Sequence, residues 1–106
     1  MAAFNLFDPE HFSGESEAFE TLLQQGNVTI ERILSPAGTR SQTFVQAQDE
    51  WICLLQGEAQ LEMDDRKIRL TAGETLFIAA GTPHRVLSTS ADPTCIWLAV
   101  HIHLER

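Results

Sequence analysis

A histidine that follows directly on Gly81-Thr82-Pro83 is the residue of this chain best placed to do chemistry. Glycine opens turn conformations that other residues resist, and proline fixes one backbone angle. His84 is therefore set at a defined point, where an imidazole can serve as a metal ligand, an acid or base, or a hydrogen-bonding group. The bland alternative is a satisfied histidine lining a partly apolar cavity. Glu50 comes next, standing before the apolar run Trp51-Ile52-Cys53-Leu54-Leu55. A charged residue is seldom buried without a partner, so on composition alone Glu50 reads as an exposed acid in an Asp49-Glu50 turn. His101 and His103 lie on the last apolar run and share a face with Trp97 and Ala99 under period-two alternation. Position near the C-terminus accounts for His103 as an exposed residue, whereas His101 is deeper and can point inward. His11 reads as a surface residue. No glycine-rich phosphate loop is present, and no serine or cysteine stands in a nucleophile elbow.

The elements that must position these groups are mostly strands. Gly73 turns the chain into the short apolar run Leu76-Phe77-Ile78, and the Gly81-Thr82-Pro83 corner leads to a strand over 84–88. Glu58–Met63 alternates, with Ala59, Leu61 and Met63 on one face, and Arg66–Leu70 alternates again after a hairpin turn at Asp64-Asp65. Further strands are expected over 28–34, more weakly over 40–46, over 51–55 with both faces buried, and over 95–104. Ala47-Gln48-Asp49 reads as a loop or bulge. Residues 1–12 read as irregular. Between Glu15 and Gln25 the pattern is helical: Phe19, Leu22 and Leu23 fall at i, i+3 and i+4. Glu15, Glu17 and Glu20 suit the positive end of a helix dipole, and Gly26 is a natural stop. That helix is expected to clasp the outside of the sheet. Short strands with closely spaced turns mean an all-β sandwich or barrel.

The spacing of Gly73, Gly81 and His84 resembles the second motif of the cupin family, with Ala79 where the family usually has proline. Glu50 and Gly57, with six residues between them, resemble the end of its first motif. The resemblance spans roughly the C-terminal two-thirds of the chain. It implies a cupin-like jelly-roll barrel with one short N-terminal helix, a single domain over 1–106, in which residues 1–27 form the irregular segment and helix and 28–106 the barrel. It also implies that Glu50 and His84 are metal ligands at one barrel mouth. The two histidines of the family's first motif have no counterpart here. With three residues before Glu50 they fall at Phe44 and Gln46, and with four at Thr43 and Val45. Gln46 can offer a weak oxygen ligand, and His101 can stand in for a missing histidine.

Composition narrows the partners. The 106 residues carry 15 acidic against 7 basic side chains, a net charge of −8, and only Arg66-Lys67-x-Arg69 clusters positive charge. That argues against nucleic acid and anionic membrane surfaces as partners. No apolar stretch is long enough to span a membrane, and the N-terminus lacks a signal-peptide pattern, which makes a cytoplasmic location the expectation. Cys53 and Cys95 sit in apolar runs without a basic neighbour and read as reduced, non-catalytic thiols.

The expected function is a small-molecule-binding cupin whose pocket, lined by Gln46, Glu50, His84 and His101, holds a divalent metal such as Zn, Fe, Ni or Mn. Dioxygenase or isomerase chemistry would follow from the resemblance. The alternatives are a metal-free cupin that binds or regulates without catalysis, and a purely structural dimer module. A homodimer is expected, because the strands over 51–55 and 95–104 offer more apolar surface than one small barrel hides.

Overall fold

The computed structural model describes residues 3–9 and 12–104; His11 lies outside them. Among the described residues there are eight strands: β1 (Ala18–Gln25), β2 (Val28–Ser35), β3 (Asp49–Gln56), β4 (Glu58–Met63), β5 (Arg66–Thr71), β6 (Thr75–Ile78), β7 (His84–Thr89) and β8 (Cys95–Ile102). They form a five-stranded sheet in the order β1-β2-β8-β3-β6 and a three-stranded sheet in the order β5-β4-β7. Every pairing is antiparallel.

The core lies between the two sheets. β8 is the centre of the larger sheet, and its inward residues Cys95, Trp97 and Ala99 are fully or almost fully buried. Across the pairing with β3, Ile52 faces Ala99 and Leu54 faces Trp97. Ala59 and Leu61 of β4 and Leu70 of β5 close the cluster from the smaller sheet. The alternation read over 58–63 and 66–70 is the observed one, and the Asp64-Asp65 turn has positive φ at both residues, as a tight hairpin requires.

Among the described residues there is no helix, and the segment expected to form one is β1. Gly26-Asn27 is the two-residue turn of a β1–β2 hairpin, with Gly26 at φ 56° and Gln25 paired with Val28. Gly-Asn is a hairpin signal when a strand-forming run follows it, and here Val28-Thr29-Ile30 does. The helical spacing of Phe19, Leu22 and Leu23 is broken by a register shift between Thr21 and Leu23. A free edge of β2, with its unpaired backbone groups, outweighs a local helical preference.

Residues 40–46 are not a strand either. Only Phe44 forms an isolated bridge, to His84, and Ser41 ties the segment to Val86 through its backbone and hydroxyl. Asp49 belongs to β3, not to a loop. β3 is not buried on both faces: Ile52 and Leu54 point inward, while Trp51 is exposed beside the exposed Phe77. Cys95 is buried, Cys53 is half-buried, and both are free thiols.

The outer face of β2 is covered by the N-terminal segment. Arg32, 1% exposed, donates to the carbonyls of Leu6 (2.9 Å) and Asp8 (2.5 Å), reaches that of Asn5 (3.5 Å), and pairs with Glu20. The Phe4 ring lies 4.7 Å from its guanidinium. The clasp expected of a helix is thus made by an irregular segment and one arginine.

Candidate functional site

Glu50 begins the inward face of β3 and is paired in register with His101 of β8 on one side and Ile78 of β6 on the other. On the next strand, β2, Glu31 pairs with Ala99, two residues from His101 along the same face. Alternation therefore turns Glu31, Glu50 and His101 toward the space between the sheets. His84, at the head of β7 in the smaller sheet, meets them from across that space.

The hydrogen bonds assign most of the protons. His84 Nδ1–H donates to the Thr82 carbonyl at 2.9 Å, which leaves Nε2 facing the Glu50 carboxylate at 3.7 Å. His101 Nδ1 accepts from the Gln48 amide at 3.3 Å, so its Nε2–H donates to Glu31 Oε1 at 2.8 Å. The other Glu50 oxygen is 3.8 Å from the same Nε2. Glu50 is 6% exposed, yet among the described residues neither of its oxygens has a partner within hydrogen-bond reach.

These surroundings move two titrations. Burial raises the Glu50 carboxyl above its ordinary value, opposed by the His101 and His84 charges and reinforced by Glu31. The bond to Glu31 raises the His101 imidazole, against burial and with the help of Glu50.

The cavity they line has a volume of about 180 Å³ and is open to solvent on one side. All four residues singled out in the sequence, Gln46, Glu50, His84 and His101, line it. Gln46 Oε1 is buried and accepts no hydrogen bond from the described residues. Phe44, at a position aligned with a family histidine, packs its ring 6.0 Å from that of His84. His103 is exposed and outside the cavity; its ring stacks on His101 and its Nε2 meets Thr29 Oγ1 at 3.2 Å. Opposite the acidic end, Trp97 Nε1–H donates to Ser35 Oγ (3.0 Å), which donates to Glu17 (2.6 Å).

Sequence reasoning missed Glu31. Its ligand atom, one from Glu50 and one from His101 lie within 4.8 Å of one another, an arrangement able to hold a metal ion. The signal was misleading: on β2 the more apolar set, Val28, Ile30 and Leu34, faces outward, so the inward residue looked like the solvated one.

Residues 31–101 match the family model described as the cupin domain. A structure from Ralstonia eutropha JMP134, provisionally described as a mannose-6-phosphate isomerase, is 30% identical with a TM-score of 0.85, over 98% of this chain and 100% of that one. A structure from Thermus thermophilus has a TM-score of 0.83 at 22% identity, over 97% of this chain and 98% of that one. A cupin superfamily protein from Desulfitobacterium hafniense DCB-2 has a TM-score of 0.75 at 22% identity, over 85% and 80%. No curated protein matches the chain.

Proposed function

The chain belongs to the cupin family, and from that premise we propose that it binds a small molecule at a divalent metal ion held by Glu31, Glu50 and His101. The observation that carries this reading is the Glu50 carboxylate, buried and without a hydrogen bond, facing two imidazoles. A carboxylate so nearly buried, open only toward the cavity, is costly unless a cation or cavity water completes it. His84, through Nε2, and Gln46, through its unpartnered oxygen, line the same cavity and are proposed as further donors. Carboxylate oxygens with imidazole nitrogens suit Zn, Fe, Ni or Mn. When bound, such an ion polarises a carbonyl or hydroxyl of the ligand.

The chain's own residues favour proton-transfer chemistry, of the isomerase kind, over dioxygen chemistry. Thr82 orients His84 so that its second nitrogen faces the cavity, and in the arrangement that leaves this nitrogen off the metal it can take or return a proton. Phe44 and Ile78 bound the same space with apolar surface and limit water. The R. eutropha protein's description is of an isomerase, which agrees with the reaction type.

One observation favours a second reading, a metal-free binding cupin: His101 and Glu31 already satisfy each other at 2.8 Å. Elemental analysis of untagged protein separates the two. One equivalent of a transition metal, lost in Glu50→Gln, supports the first; a metal-free protein that gains no stability from added Zn, Mn, Fe or Ni supports the second.

We propose further that two copies pair through the outer face of the larger sheet. Trp51 and Phe77 are neighbours there, 36% and 53% exposed, beside the half-buried Val100. Light scattering that gives a monomer mass at high micromolar concentration would refute this. Among the described residues no helix is long and apolar enough to cross a membrane. A cytoplasmic location remains part of the proposal.

A further inference from the structure

We infer that the cavity takes a compact, largely apolar molecule without an anionic group, and that it excludes phosphorylated substrates; this rests on the reading of the cavity as the ligand site. Its volume, about 180 Å³, is below the common range for drug-sized ligands and close to that of a cavity which holds benzene, about 150 Å³. Between its polar ends the wall is aliphatic and aromatic, from Ile33, Ile52, Leu61, Val86 and Trp97.

Apart from the two imidazoles, His84 and His101, which face Glu50 and Glu31, the charged groups of the lining are all acidic. Glu17, Glu31 and Glu50 contribute carboxylates, and no lysine or arginine is among the described lining residues. Three of the described cations are engaged elsewhere, and the exposed Arg40, though next to Ser41 in the chain, is not among the lining residues. Arg32 lies on the opposite face of β2, Arg69 pairs with Glu58, and Arg85 pairs with Glu62. A phosphate dianion here would shed its water, meet carboxylates across a medium of low dielectric, and find no guanidinium fork to receive it. A divalent ion that balanced Glu31 and Glu50 would leave Glu17 uncompensated, so the sign persists in the metal-loaded protein. The likeness to a structure described by a phosphosugar reaction therefore does not extend to the substrate's phosphate.

The test uses matched probes on the unaltered chain, both stripped of metal and loaded with zinc. Benzyl alcohol, benzyl phosphate, mannose and mannose 6-phosphate are titrated while the indole N–H resonances of Trp97 and Trp51 are followed by NMR. Trp97 lines the cavity and Trp51 lies on the outer face, so each reports a different surface. Benzyl alcohol is expected to shift the Trp97 signal and leave Trp51 unmoved. Benzyl phosphate is expected to bind at least tenfold more weakly, and mannose 6-phosphate to give no shift in either state. Val86→Phe, which fills the cavity, should abolish the alcohol's effect; the alcohol–phosphate comparison does not depend on that variant folding. The inference is overturned if either phosphate moves Trp97 at concentrations equal to or below those of benzyl alcohol, or if benzyl alcohol does not move it. A protein that retains no metal yet prefers the alcohol sinks the metal reading alone. One that retains metal and prefers the phosphate sinks this inference alone.

Discussion

Glu50 and His101 are register partners across β3 and β8, yet the nearest carboxylate oxygen stops 3.8 Å from the ring nitrogen, beyond hydrogen-bond reach. The ring spends its hydrogen on Glu31 instead, and Glu50 is left buried without a donor. Replacement by the neutral isostere removes a charge that the fold alone does not compensate. Glu50→Gln is expected to raise the stability of metal-free protein by on the order of 1 kcal/mol while destroying metal affinity. Urea denaturation and zinc titration on the same preparation check both halves. A variant that loses stability in the absence of metal contradicts the description of Glu50 as uncompensated.

Stability should depend on pH in a direction set by two groups. The His101 pKa is raised above its ordinary 6.5 by the bond to Glu31. Its contribution is full below 6.5 and is lost as pH rises through the raised value. The Glu50 pKa is raised above 4.5 by burial, so the native state also holds that proton more tightly than the unfolded chain. Both contributions fall as pH rises. Metal-free protein should therefore lose stability from mildly acid to alkaline pH, relative to the double variant Glu50→Gln/His101→Gln. Metal-loaded protein should show the opposite trend, because its ligands must be deprotonated. Denaturation midpoints across that interval decide it; parallel curves for wild type and double variant defeat the prediction.

Donors should differ in weight. Glu50→Gln and His101→Ala are expected to abolish metal binding, and His84→Ala to weaken it strongly. Gln46→Ala should only reduce it, since a neutral amide oxygen is a poor donor beside carboxylate and imidazole. Calorimetric titration with zinc ranks the four; an unaffected Glu50 variant would remove the site.

Gly57 is the glycine of the first motif, and the fold gives a physical reason for it. Its φ is 94°, and a Cβ there would stand 2.8 Å from Cys95 Sγ and 3.1 Å from the Cys95 backbone. Gly57→Ala is expected to cost roughly 2–4 kcal/mol, from strained backbone and overpacking together. Gly73 meets nothing within 4 Å at the same position, so Gly73→Ala should cost less, the backbone strain alone. Thermal melts of the pair make the comparison.

Much of this arrangement was legible in the chain, and its gaps have physical causes. The alternation from Glu58 to Leu70 fixes faces because each strand has one wet side, and the corner before His84 limits where the ring can go. Glu50 was identified by spacing, against its composition. The β1–β2 hairpin was missed because Phe19, Leu22 and Leu23 repeat with a helical period, while the decisive partner, the edge of β2, is tertiary. Glu31 was missed for a related reason. The outward face of β2 is apolar because Phe4–Asp8 and neighbouring strands cover part of it, and a single strand does not announce which side will be covered.

Glu31 and Arg32 are consecutive, and they point to opposite faces of β2: one to the cavity, the other beneath the N-terminal segment. A one-residue slip of β2 against β8 would exchange them. The guanidinium would then enter the cavity beside His101, and the carboxylate would be pressed against the carbonyls of Leu6 and Asp8. Both placements would be errors, made simultaneously on the two sides of one strand: the first fills the cavity and takes from His101 its acceptor, and the second sets a carboxylate against carbonyl oxygens. The dipeptide thus acts as a two-sided key for strand alignment, penalising the misaligned sheet through chemistry at the cavity and at the clasp together.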